Sequence, residues 1–104
     1  MAKVWEIWKL DGYEMTPDVE VRARLKELRD DFARASGTEV RVMSGWYGEE
    51  NQYIMLVEHA SHEAFGAASG KAFHDQAMKD NQEARQKNPK VMFKSGGIWV
   101  EETL

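Results

Sequence analysis

The chain has no cysteine, which removes disulfide frameworks and thiolate chemistry together. No segment approaches the roughly 20 apolar residues needed to cross a bilayer. The opening, MAKVWEIWKL, has no apolar run of the signal-peptide kind. Lysine and arginine are scattered and never form a block, and the formal net charge is −4. That balance argues against nucleic acid and against anionic membranes as partners. Repeats, low-complexity tracts and interior linkers are missing too. So are the short motifs of several chemistries: no CxxC, no HExxH, no Ser-His-Asp spacing, no Rossmann fingerprint. Gly66, Ser69 and Gly70 lack the strand-to-helix context and the lysine-serine pair of a phosphate loop. What remains is a cytosolic chain of 104 residues, one domain of modest stability, with no bound metal or organic cofactor expected.

Aromatic residues, by contrast, are plentiful: four tryptophans, three tyrosines and four phenylalanines. Such side chains bury large areas and also wall pockets for flat ligands. Packing is the commoner use of any one of them.

Apolar spacing and capping signals give the order of elements. A first strand covers Lys3 to Leu10, and Asp11-Gly12 turns the chain. Thr16-Pro17-Asp18 reads as a helix start, with Thr16 as N-cap. Val21, Leu25, Leu28 and Phe32 then recur at helical spacing, with charged residues, Asp31 among them, on the remainder. Ser36-Gly37 ends the helix through a left-handed cap. Two β-rich runs flank Gly48-Glu49-Glu50-Asn51 and predict a hairpin. A four-residue loop there sets Trp46 opposite Tyr53, Ser44 opposite Met55, Val42 opposite Val57, and Arg41 opposite Glu58. Ser61 caps a short helix through Phe65, Gly66 and Ser69-Gly70 interrupt it, and a second helical piece runs from Lys71 to Lys87, ended by Asn88-Pro89. The last strand starts near Val91, bends at Gly96-Gly97 and resumes with Ile98, Trp99 and Val100.

The order β-α-β-β-α-β predicts an α+β, ferredoxin-like fold: a four-stranded antiparallel sheet with its helices on one face. The strands are apolar on both faces, and helices cover only one. A bare apolar face of that size predicts a homodimer in which two sheets pack together.

Three stretches, VWEIWKLDG, NQYIMLVEHAS and SHEAFGAASGKAFHDQA, resemble the dimeric α/β-barrel superfamily, and within it the antibiotic-biosynthesis-monooxygenase and NIPSNAP-like groups. The resemblance implies a homodimeric barrel with a ligand cavity between each sheet and its helices. Relatives of this kind include cofactor-free oxygenases, haem-degrading enzymes, cyclases and isomerases. Haem-degrading relatives place a histidine ligand on the second helix. Aligned on Phe73, that position falls near Ala77 rather than His74, which speaks against haem.

All three histidines fall within residues 57–76. His59-x-x-His62 suggests a metal only superficially, since the first ends a strand and the second opens a helix. An imidazole in a dry pocket can act as a general base. His74 is the first candidate, because it shares a helix face with Met78, and His59 is the second. Glu6, between Trp5 and Ile7, is a third titratable group, with a cross-strand partner such as a lysine, arginine or tyrosine as its structural alternative. Trp8, Trp46, Tyr53, Met55, Met78 and Trp99 are the residues expected to line an aromatic cavity. The functional expectation is a cofactor-free monooxygenase, cyclase or isomerase acting on an aromatic or polyketide-like molecule. A non-catalytic dimer that binds an apolar ligand or a protein is the alternative.

Overall fold

The computed structural model describes residues 2–45 and 51–104. Its elements are β1 (Val4–Gly12), α1 (Asp18–Ser36), β2 (Arg41–Ser44), β3 (Gln52–His59), α2 (His62–Phe73), α3 (Gln76–Gln86) and β4 (Val91–Val100). The strands form one sheet in the order β2-β3-β1-β4, antiparallel throughout. This is the expected ferredoxin-like α+β architecture, with the second helical region divided into two helices.

Alternation along the strands sorts the side chains onto two faces. Val4, Glu6 and Leu10 of β1, with Tyr53, Met55, Val57 and His59 of β3, are buried on one of them. Val21, Leu25 and Leu28 of α1 join Leu10, Val40, Tyr53, Met55 and Val57 in the main core. Each such aliphatic side chain contributes about 1.5–3 kcal/mol through burial. The opposite face carries Trp5, Ile7, Ile54 and Leu56, half-buried, and the more exposed Met43, Met92 and Trp99. It also carries Lys9, Asp11, Arg41 and Glu58, and no helix covers it.

Four local expectations change. Pro17, not Thr16, occupies the N-cap of α1, in extended backbone and without a side-chain cap bond. The hairpin register differs by two residues: Ser44 pairs with Tyr53, Val42 with Met55 and Arg41 with Leu56. A shift of two keeps every side chain on its face, whereas a shift of one would reverse them. The proposed partner of Tyr53, Trp46, lies outside the described residues. Helix α2 runs unbroken through Gly66 and Gly70 to Phe73, because a helical glycine costs only about 1 kcal/mol. The break falls at His74, and there the Asp75 carboxylate accepts from Met78 N at 2.7 Å to start α3. Finally, the β-bulge in β4 sits opposite Lys9/Leu10 rather than at Gly96-Gly97. Gly96 instead makes room for a neighbour, since a Cβ there would collide with the ring of Trp8, its cross-strand partner.

Candidate functional site

The only ionisable side chains of Asp, Glu, His, Lys or Arg buried on the helix-facing side of β1 and β3, among the described residues, belong to Glu6 and His59. The antiparallel register sets Glu6 opposite Val57, so His59 stands diagonally across from it on the same face. The His59 Nε2 lies 2.8 Å from Glu6 Oε1. The second carboxylate oxygen accepts from Trp8 Nε1 at 3.0 Å. With the carboxyl ionised and the ring neutral, Nε2 is the donor in this bond. His59 Nδ1 then carries the ring's lone pair, and it has no hydrogen-bond partner among the described residues. The imidazole is 2% exposed and meets the Phe65 ring edge-on, with centroids 5.3 Å apart. The result is a buried carboxylate–imidazole pair with one ring nitrogen unpaired among the described residues.

Trp8 carries this pair to a cavity. Its indole, laid against Gly96, walls a space of about 260 Å³ between the sheet, α1 and α3. Leu28 and Phe32 come from α1, Met55 and Val57 from β3, Met78 from α3 and Phe93 from β4. Phe93 stands edge-on to Trp8 at 6.2 Å. Gln82 and Arg85 of α3 are the polar members of the lining. The volume lies near the lower end of ligand cavities, about 300 Å³, and suits one or two rings.

Helix α3, which roofs the cavity, has no buried residue. It is held through Asp31 of α1, which accepts from Arg34 (2.8 Å), Arg85 (2.9 Å) and Asn81 (3.1 Å). Arg34 also reaches both carboxylate oxygens of Asp75, the cap of α3. Burial works against the Asp31 charge, but the three hydrogen bonds outweigh it and hold the carboxyl below its usual range. The Arg34 bond, and then the Met78 amide, lower Asp75. The same two carboxylates raise Arg34.

No protein-family model and no curated protein sequence matches the chain. Solved structures do. SnoaB, a cofactor-independent oxygenase from Streptomyces nogalater, superposes with a TM-score of 0.66 at 13% identity, over 100% of this chain and 97% of that one. A dimeric ferredoxin-like protein from an uncultured marine organism gives 0.66 at 14% identity, over 100% and 99%. The chain has the fold of the dimeric ferredoxin-like proteins. A NIPSNAP family protein of unknown function from Agrobacterium tumefaciens shares it at 0.66 and 9% identity, over 95% and 86%. The likeness expected from the sequence, to monooxygenase-type and NIPSNAP-like proteins, is thus found at the level of the fold.

On this ferredoxin-like frame the anticipated site residues separate into groups. Trp8, Met55 and Met78 line the cavity, and Glu6 and His59 adjoin it through Trp8. Tyr53 belongs to the core and donates to Asp18 Oδ1 at 3.2 Å; burial first, then that bond, pushes its phenol up. Trp99 is on the uncovered face, 61% exposed, away from the cavity. His74 is exposed at the end of α2, edge-on to Phe73 at 5.2 Å, and does not meet Glu6 or His59. Trp46 is outside the described residues. His62 is exposed while His59 is buried, and among the described residues no three of His, Cys, Asp or Glu gather as a metal site would require. Leu28, Phe32, Val57, Gln82, Arg85 and Phe93 were not anticipated as lining. The helical stripe through Leu28 and Phe32 was the available signal for two of them.

Proposed function

We propose that the protein is a homodimeric, cofactor-independent monooxygenase of the cytosol that acts on a small hydroxylated aromatic. The observation that carries this reading is the continuity from cavity to base: an aromatic wall, Trp8, whose N–H is held by a carboxylate that also holds a buried imidazole. SnoaB, named as a cofactor-independent oxygenase, supports the reading as a neighbour of the same fold.

A substrate hydroxyl that takes the place of the Trp8 N–H at Glu6 Oε2 gives its proton to that carboxylate, whose other oxygen stays hydrogen-bonded to His59. The resulting anion is electron-rich enough to react with dioxygen at the para carbon, forming a C–O bond. Loss of the C–H proton breaks the O–O bond. One oxygen stays as a quinone carbonyl, and the other leaves as water with the two hydrogens removed from the substrate. Dioxygen is the sole oxidant. The apolar lining excludes water from the anion, and the indole N–H, released from Glu6, then donates to its oxygen.

The second subunit packs on the uncovered sheet face, where Trp5, Ile7, Ile54, Leu56 and Trp99 form a patch too apolar for a solvated surface. Light scattering on the purified chain checks this, and a monomer at micromolar concentration rejects it.

Oxygen uptake with a panel of hydroxynaphthalenes tests the chemistry. Glu6→Gln and His59→Asn should each lower kcat at least about 100-fold, the scale of general-base catalysis, while His74→Ala leaves it unchanged. Full activity in both variants rejects the mechanism. Neither Glu6 nor His59 lines the cavity directly, and this favours one second reading, a ligand carrier. Binding without any oxygen uptake is its signature.

A further inference from the structure

A second cavity, of about 440 Å³, opens between α3 and β4. It shares Leu28, Gln82, Arg85 and Phe93 with the first, so the two form one cleft with Arg85 at the junction. The Arg85 side chain is 13% exposed, and its Nη2 donates to Asp31 Oδ2 at 2.9 Å. That is its single hydrogen bond among the described residues, though a guanidinium has five N–H donors in a planar fork. Asp31 is fixed in turn by Arg34 and Asn81, so Arg85 is anchored on one edge and does not neutralise Asp31 alone. An oriented guanidinium with donors to spare, beside the apolar Leu28 and Phe93, is suited to bidentate recognition of a carboxylate.

We propose that the ligand is a one- or two-ring aromatic acid whose carboxylate is held by Arg85 while its rings lie against Trp8 and Phe93. This rests on the reading of the cavity as the ligand site and adds a specificity residue to it. Arg85 is a binding residue here, placed on the roof of the cleft by α3 and remote from the proton-accepting pair. Tyr13, Arg24, Gln82 and Gln86 are the other polar members of the cleft, and Gln82 offers an amide for a second polar substituent.

Titration calorimetry of the full chain with a hydroxynaphthoate and the matching hydroxynaphthamide tests it at neutral pH. The rings and hydroxyl are the same, and only the anionic group differs. The acid should bind at least about tenfold more tightly, the usual worth of a charge-assisted hydrogen bond. Arg85→Gln should bring the two ligands within about threefold of each other. Arg85→Lys keeps the ion pair with Asp31 but loses the fork, and should give an intermediate preference. Its folded state can be checked by circular dichroism if the glutamine variant does not fold. Equal affinities in the unaltered protein overturn the inference and leave the oxygenase reading intact. Acid preference that persists in both variants overturns it as well. If neither compound binds, both readings fall together.

Discussion

Helices α1 and α3 lie over the same sheet and hold on to it by different physics. Helix α1 presents Val21, Leu25 and Leu28 to the core, at 0%, 4% and 8% exposure. Helix α3 buries nothing fully and is tied down by Asp31, Arg34, Asn81, Arg85 and Asp75. Apolar packing has no preferred partner or angle and fails only when the whole core does. A clasp of a few directional bonds can open alone, because each net hydrogen bond is worth about 1 kcal/mol. The roof of the cavity is therefore its least stable wall, and local opening of α3 is available at a fraction of the cost of unfolding.

Leu25→Ala should break the α1 side of this contrast most severely. A loss of about 2–5 kcal/mol is expected for a buried leucine, read as a drop in the urea midpoint of the entire chain. Asp31→Ala strikes α3 instead. It leaves Arg85 and Asn81 without their acceptor and should cost about 1–3 kcal/mol. Amide exchange should rise in residues 76–86 well before it rises in β1 and β3. Acid gives the same result without mutation. Asp31 and Asp75 both titrate below their ordinary value of 3.8 when folded, so the folded chain binds fewer protons than the unfolded one. Their stabilisation is complete above that value and disappears as pH falls through the lower folded values. Protection of the α3 amides, taken relative to their intrinsic exchange rate at each pH, should fall in that range and be constant above about pH 5, the upper end of such a loss. Arg34→Met should have the smallest effect on the urea midpoint, smaller still in high salt, since the side chain is half exposed.

Element order and the uncovered face were legible because both depend on local alternation and on the stripe Val21, Leu25, Leu28, Phe32. The cavity was legible only in part. Trp8, Met55 and Met78 follow from face assignment, but Arg85 meets Asp31 across 54 positions, and no local pattern pairs them. Asp31 itself looked solvated because it flanks the apolar stripe, yet it is 8% exposed. The hairpin register escaped by two residues because it depends on where pairing stops, and the face pattern has a period of two. His74 looked like a cavity residue while the helix was expected to continue through it. The Asp75 cap moves the break to that point and leaves the ring outside. For Glu6, sequence offered either a reactive carboxylate or one held by a cross-strand lysine, arginine or tyrosine. The structure supplies a partner, His59, which was itself a candidate, so the two alternatives meet in one pair.

Gly96 gives Trp8 its seat by having no side chain, and the indole it seats serves two purposes: it bounds the ligand space, and it donates to Glu6. Any larger residue at that position must push the ring, changing the shape of the ligand space and the reach of the donor in one step. Diversification of ligand choice within such a scaffold is thereby steered away from this edge strand and toward α3, where Met78, Gln82 and Arg85 can vary without disturbing the carboxylate–imidazole pair.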